Sequence, residues 1–137
     1  RGGPLLDRII QEGVYSEAIA SRVVKQVLMA VRYLHSQGVV HRDLKLENLL
    51  LTEKDFSVAD VKVADFGLSA LLPRGGFDPS DDLAMKKYDK LSDLWGTRAY
   101  FSPELYNRRY GPQVDVWAVG VVLFILLSGQ MPFKHSE

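Results

Sequence analysis

The feature that most confines this chain is a change of hydrophobic period at Gly38. Before it, Ile19, Val23, Val24, Val27, Leu28, Val31 and Leu34 recur at spacings of three and four, which predicts one amphipathic helix from Glu17 to Gln37. Ser16 is placed to cap its start and Gly38 to close its end. After it, Val39–Val40, Leu49–Leu51 and Val61–Ala64 are short runs of strand length, with a polar turn from Thr52 to Asp60, so Leu49 to Ala64 reads as a hairpin. A shorter helix is expected over Leu5, Leu6, Ile9 and Ile10, closed near Gly13. A buried apolar helix is expected from Asp115, as its cap, to Ser128-Gly129. Its apolar core, Val116 to Leu127, is well short of the roughly 20 residues that span a bilayer.

The polar residues concentrate at the ends of these strands. His41-Arg42-Asp43-Leu44-Lys45-Leu46-Glu47-Asn48 follows the first, Asp65-Phe66-Gly67 follows the third, and Ser102-Pro103-Glu104 comes later. The hairpin would hold Asn48 and Asp65 near each other, two side chains with the oxygen donors a hard cation prefers. Taken singly, Asp43 and Asp65 read equally well as ordinary turn residues after strands. Their combination with Lys45 and Asn48 favours chemistry over coincidence. His41 and His35 read as structural histidines, and Phe66 and Leu50 as buried side chains.

Together the three motifs resemble the phosphoryl-transfer half of eukaryotic-type serine/threonine protein kinases, and the resemblance covers essentially the whole chain. It implies an α+β, protein-kinase-like fold: a mainly helical large lobe with a short β hairpin, residues 1–137 forming part of the domain and the small lobe absent. By that resemblance Asp43 would take the proton of the acceptor hydroxyl, Lys45 would reach the transferred phosphoryl, and Asn48 and Asp65 would hold Mg²⁺ beneath ATP. Lys45 points to Ser and Thr acceptors on protein substrates. Thr97 resembles the threonine that bonds the catalytic Asp and Lys, and Leu50 the leucine under adenine. Phe66, with Gly67 after it, would stack on His41. Glu47 could pair with a basic substrate residue. Arg42 implies an anionic partner on the activation segment, with Asp93, beside Ser92, as a weak substitute for phosphate. Glu104 would pair with an arginine in helices beyond Pro132, and Asp115 would accept backbone N–H bonds from the catalytic loop.

Local sequence narrows the resemblance to the calcium/calmodulin-dependent and plant calcium-dependent kinase group. The carriers are Gly2-Gly3-x-Leu5-x-Asp7-Arg8-Ile9, Leu49-Leu50-Leu51-Thr52, Val61 to Gly67, and Leu126-Leu127-Ser128-Gly129-x-x-Pro132-Phe133. A calcium-linked regulator would lie outside this segment, since no EF-hand loop or calmodulin-binding helix is found in it. Departures are Pro4 for a frequent Glu, Leu46 for Pro, Arg98 for a frequent Pro after Thr97, and Ser102 for Ala. No glycine-rich loop, Val-Ala-Ile-Lys strand or helix glutamate is found among the 137 residues, so the isolated segment is expected to be inactive, marginally stable and prone to aggregate. A pseudokinase or kinase-like scaffold is the alternative, against which the intact Asp43, Lys45, Asn48 and Asp65 speak.

Seventeen basic and seventeen acidic residues give zero net charge without a basic stripe, which argues against nucleic-acid binding. With no cysteine there is neither a disulfide frame nor a thiolate metal site. No membrane partner and an intracellular, cytoplasmic location are expected.

Overall fold

The computed structural model describes residues 1–72 and 96–133. In chain order these are β1 (Gly3–Pro4), α1 (Leu5–Glu12), α2 (Glu17–Ser36), β2 (Val39–Val40), a 3₁₀ turn (Leu46–Asn48), β3 (Leu49–Leu51), β4 (Val61–Val63), β5 (Ala70–Leu71), a second 3₁₀ turn (Arg98–Tyr100), α3 (Pro103–Tyr106) and α4 (Gln113–Ser128). Ser92 and Asp93, expected on the activation segment, lie outside the described residues.

α2 starts where Ser16 Oγ accepts the Ile19 amide at 3.3 Å. It ends with Gln37 at the cap and Gly38 beyond it at φ 73°, a left-handed position that glycine adopts without a Cβ penalty. Its core stripe is Ala20, Val23, Val27 and Val31. Ile19 and Leu28, expected on that stripe, lie off it and are exposed, because the buried spacing of three, four and four carries the contact line past them. The stripe packs against α4, whose Ala118, Val119, Val122 and Ile125 share one apolar cluster with Leu44, Leu46, Leu49 and Leu51. Burying each such aliphatic side chain contributes about 1.5–3 kcal/mol, so the segment from Leu44 to Leu51 is fixed from below by its leucines.

The hairpin is antiparallel, pairing Leu49 with Val63, Leu50 with Lys62 and Leu51 with Val61. Two pairings were not foreseen: β1 adds to β3, and β5 returns to β2, matching Val40 with Ala70. The second ties the segment after Asp65 to the strand that leads into His41. α4 begins two residues before Asp115. Its cap position is Pro112, without a side-chain cap bond, so Asp115 does not cap the helix. That carboxylate is turned inward instead.

Candidate active site

The loop from His41 to Lys45 runs between β2 and the first 3₁₀ turn, and it is held by one buried carboxylate. Asp115, 1% exposed, accepts the His41 amide on Oδ2 and the Arg42 amide on Oδ1, both at 2.9 Å. His35 Nε2 lies 2.8 Å from Oδ2, so this buried aspartate has three polar partners. Arg42 sits at φ 71°, a left-handed conformation a side-chain-bearing residue takes only under outside restraint. Its Nε donates to Leu68 O at 2.6 Å and Nη1 to Tyr110 Oη at 3.2 Å.

This turn presents Asp43 at the surface of the core. Thr97 Oγ1 donates to Asp43 Oδ1 at 3.2 Å and accepts from Lys45 Nζ at 2.9 Å. The ammonium itself is 3.7 Å from Asp43 Oδ2. Asn48 Nδ2 donates to Asp43 O at 2.8 Å and, more weakly, to Oδ2 at 3.4 Å. Three side chains from two stretches of sequence therefore converge on one carboxylate. Thr97 reaches it because Gly96, at φ 110°, passes close over the loop: a Cβ there would stand 2.7 Å from Arg42 O. Beneath, Leu46 N is 3.5 Å from Tyr100 Oη; burial, joined by the Glu47 and Asp43 charges, pushes that phenol up to about 12 against the lowering effect of the hydrogen bond.

His41 connects Asp43 to Asp65. It is fully buried, Nδ1 accepts the Asp43 amide at 3.1 Å, and Nε2 lies 2.9 Å from Ala64 O. Ala64 N in turn donates to Asn48 O at 2.8 Å. Asp65 follows at φ 59°, exposed, with Oδ1 accepting the Gly67 amide at 3.2 Å. Phe66 packs its ring edge-on to His41 with centroids 5.0 Å apart, yet it is 44% exposed, not buried as expected: among the described residues no element covers its outer face. Leu50 is likewise 37% exposed because strand alternation sends Leu49 and Leu51 to the core and Leu50 to the other face.

The donor set suits Mg²⁺. Asn48 spends its amide nitrogen on Asp43 and its amide oxygen has no partner among the described residues, nor has Oδ2 of the exposed Asp65; both are hard oxygen ligands of the kind that hold this ion together with phosphate and water.

Of the other expected residues, Glu47 is exposed on the first 3₁₀ turn. Glu104 stands in the first turn of α3, behind the Ser102 cap that accepts the Leu105 amide, and forms no ion pair among the described residues. The sequence reading passed over Arg22 and Gln26. Arg22 donates to the carbonyls of Phe56, Ser57 and Ala59, and Gln26 Oε1 accepts the Val61 amide at 2.6 Å, so α2 grips the hairpin that ends at Asp65. Their signal was visible as a polar i, i+4 pair beside the Val23 and Val27 stripe.

A family model described as protein kinase domain matches residues 1–137. The chain belongs to this family. Calcium-dependent protein kinase 9 of Arabidopsis thaliana is 45% identical over 132 residues, covering 96% of this chain and 22% of the relative. From the same plant, CDPK-related kinase 7 is 44% identical over 134 residues (97% and 21%) and serine/threonine-protein kinase PEPKR2 is 40% identical over 136 (99% and 25%). This kinase chain thus spans a fifth to a quarter of the length of those relatives. Among its described residues no helix is long and apolar enough to cross a membrane.

Proposed function

We propose that this kinase chain carries the part of a serine/threonine kinase that moves the γ-phosphoryl group of ATP to Ser or Thr hydroxyls of protein substrates. The observation that carries the reading is the single carboxylate of Asp43 bracketed by Lys45, Thr97 and Asn48. An acceptor hydroxyl placed at Asp43 loses its proton to a carboxylate whose lone pairs are already oriented by Thr97 and Asn48. Lys45, 3.7 Å away, supplies positive charge where the phosphoryl arrives. Bound between Asn48 and Asp65, Mg²⁺ would neutralise the phosphate oxygens. Leu50, on the open face of β3, would lie under the adenine.

In this reading residues 1–137 belong to the large lobe, and the glycine-rich loop with its lysine is supplied by chain other than these residues. The segment alone is inactive, the protein acts inside the cell, and a calcium-linked regulator lies outside the segment, as the names of the relatives suggest. The test is phosphate incorporation by the longest native form of the protein into Ser, Thr and Tyr peptides with Mg²⁺ and ATP. Ser and Thr peptides should be labelled and Tyr peptides not. Asp43→Asn should lower kcat on the order of 10²–10⁴-fold. Full turnover by that variant would refute the assignment.

A further inference from the structure

Two 3₁₀ turns lie next to Asp43, reaching it through Asn48 of the first and through Thr97 at the cap of the second. Leu46–Asn48 carries Glu47 and Arg98–Tyr100 carries Arg98, and both side chains are exposed. The turns touch through the Leu46 amide and the Tyr100 hydroxyl. The backbone of Arg98 is fixed: its carbonyl accepts from Tyr106 Oη at 3.3 Å and from the Phe101 amide at 3.1 Å. Its guanidinium forms no ion pair among the described residues, and neither does Glu47. An exposed cation on a hydrogen-bonded backbone therefore stands one residue from Thr97, which touches the reactive carboxylate.

Consecutive Cα atoms are about 3.8 Å apart, and an extended chain advances about 3.3–3.6 Å per residue. A peptide that sets its hydroxyl on Asp43 beside Thr97 consequently brings a residue one or two positions away past Arg98. The guanidinium is a rigid fork of donors that matches a carboxylate or a phosphate. The resemblance led to proline at this position, a residue with no such donors.

We infer that Arg98 selects acceptor segments with an acidic or phosphorylated side chain within two positions of the Ser or Thr. This rests on the phosphotransferase reading above and names the substrate class for the same site. Being exposed, a single carboxylate should raise kcat/KM by about two- to fivefold over a neutral residue, less at high salt. Phosphoserine, with a charge of about −1.5 to −2, should raise it further.

The experiment measures kcat/KM of the longest native form of the protein on serine peptides with Glu, Gln, Lys or phosphoserine at each of the two positions on either side of the acceptor. The expected result is a preference for Glu and phosphoserine at one or more of those positions. That preference should be lost in Arg98→Gln, reduced in Arg98→Lys and turned towards Lys in Arg98→Glu, with thermal melts showing that all three fold. Equal rates for the Glu, Gln and Lys peptides in a protein that phosphorylates them all would overturn the selection alone. So would an Arg98→Gln variant that slows every peptide equally and keeps the wild-type ranking. Absence of transfer to every peptide would refute the phosphotransferase reading, and the selection with it.

Discussion

Replacing Asp115 with alanine removes three interactions made by a carboxylate that is 1% exposed. The His41 and Arg42 amides, each 2.9 Å from the carboxylate, would be left without acceptors, and His35 would lose its partner at 2.8 Å. An unsatisfied buried donor costs about 1–3 kcal/mol, and breaking a buried charged network typically costs about 3–5 kcal/mol in all. Against a domain stability of roughly 5–15 kcal/mol that is a large fraction. Asp115→Asn should be milder. Its single amide oxygen can keep the Oδ2 position, which serves His41 and His35, but its NH₂ group then faces the Arg42 amide, donor against donor. A loss of about 1–3 kcal/mol is expected for the one bond.

The two variants separate stability from catalysis. With about 2–8 °C of Tm per kcal/mol for domains of this size range, alanine should lower Tm by on the order of 10 °C or more and asparagine by a few degrees. Asparagine should still reduce kcat in the longest native form of the protein. Freed from Oδ1, Arg42 can leave its left-handed conformation, φ 71°, and Asp43 next to it moves off the line to Thr97. Differential scanning fluorimetry and peptide phosphorylation on the same preparations decide it. An alanine variant with wild-type Tm and wild-type kcat would refute the view that this carboxylate holds the loop.

Gly96→Ala should cut kcat sharply with a much smaller change in Tm, because the new Cβ would lie 2.7 Å from Arg42 O and push Thr97 away from Asp43; kinetics and a melt on one sample test it, and unchanged kcat would contradict it. Arg22→Ala removes donors to three carbonyls of the hairpin turn and should cost about 1.5–3 kcal/mol, with faster amide exchange over 55–61 as the readout; exchange equal to wild type would show that the turn holds itself. Tyr100 is held neutral by burial up to about 12, above its usual value of 10, so the unfolded chain loses this proton first and stability should fall as pH rises from about 10 to 12. Tyr100→Phe should remove that part of the alkaline decline in urea melts from pH 9 to 12, and an identical decline in both proteins would exclude Tyr100 as its source.

The elements with a long period were legible in the sequence. α2, with its Ser16 cap and Gly38 beyond its end, offered twenty residues over which one stripe could repeat. The hairpin was legible because a polar turn separates two apolar runs. The pairings of Gly3–Pro4 with β3 and of Ala70–Leu71 with β2 were not, since a two-residue strand shows no alternation. Leu50 and Phe66 were misjudged for one reason. Hydrophobicity says that a side chain prefers burial, but only the position of its neighbours decides whether it gets it. Asp115 had two readings, helix cap and loop acceptor, and only the fold shows its carboxylate committed to the second.

The remaining gap lies where the backbone departs from local preference. Arg42 and Asp65 both adopt left-handed φ, at 71° and 59°, a cost of about 1–3 kcal/mol each that no residue-by-residue propensity anticipates. Each is adjacent to a residue bonded to the same imidazole. His41 accepts the Asp43 amide on Nδ1, so Nδ1 carries no proton and the ring proton sits on Nε2, which donates to Ala64 O. Asp43 follows Arg42 and Ala64 precedes Asp65, so one buried neutral ring fixes the chain just after the first strained residue and just before the second. Asp115 fixes the other side of the first through the Arg42 amide. The separation between the proposed base and the proposed metal ligand is thus set by a histidine that touches neither reactant. This explains why motif spelling alone identifies the two carboxylates and does not give their geometry.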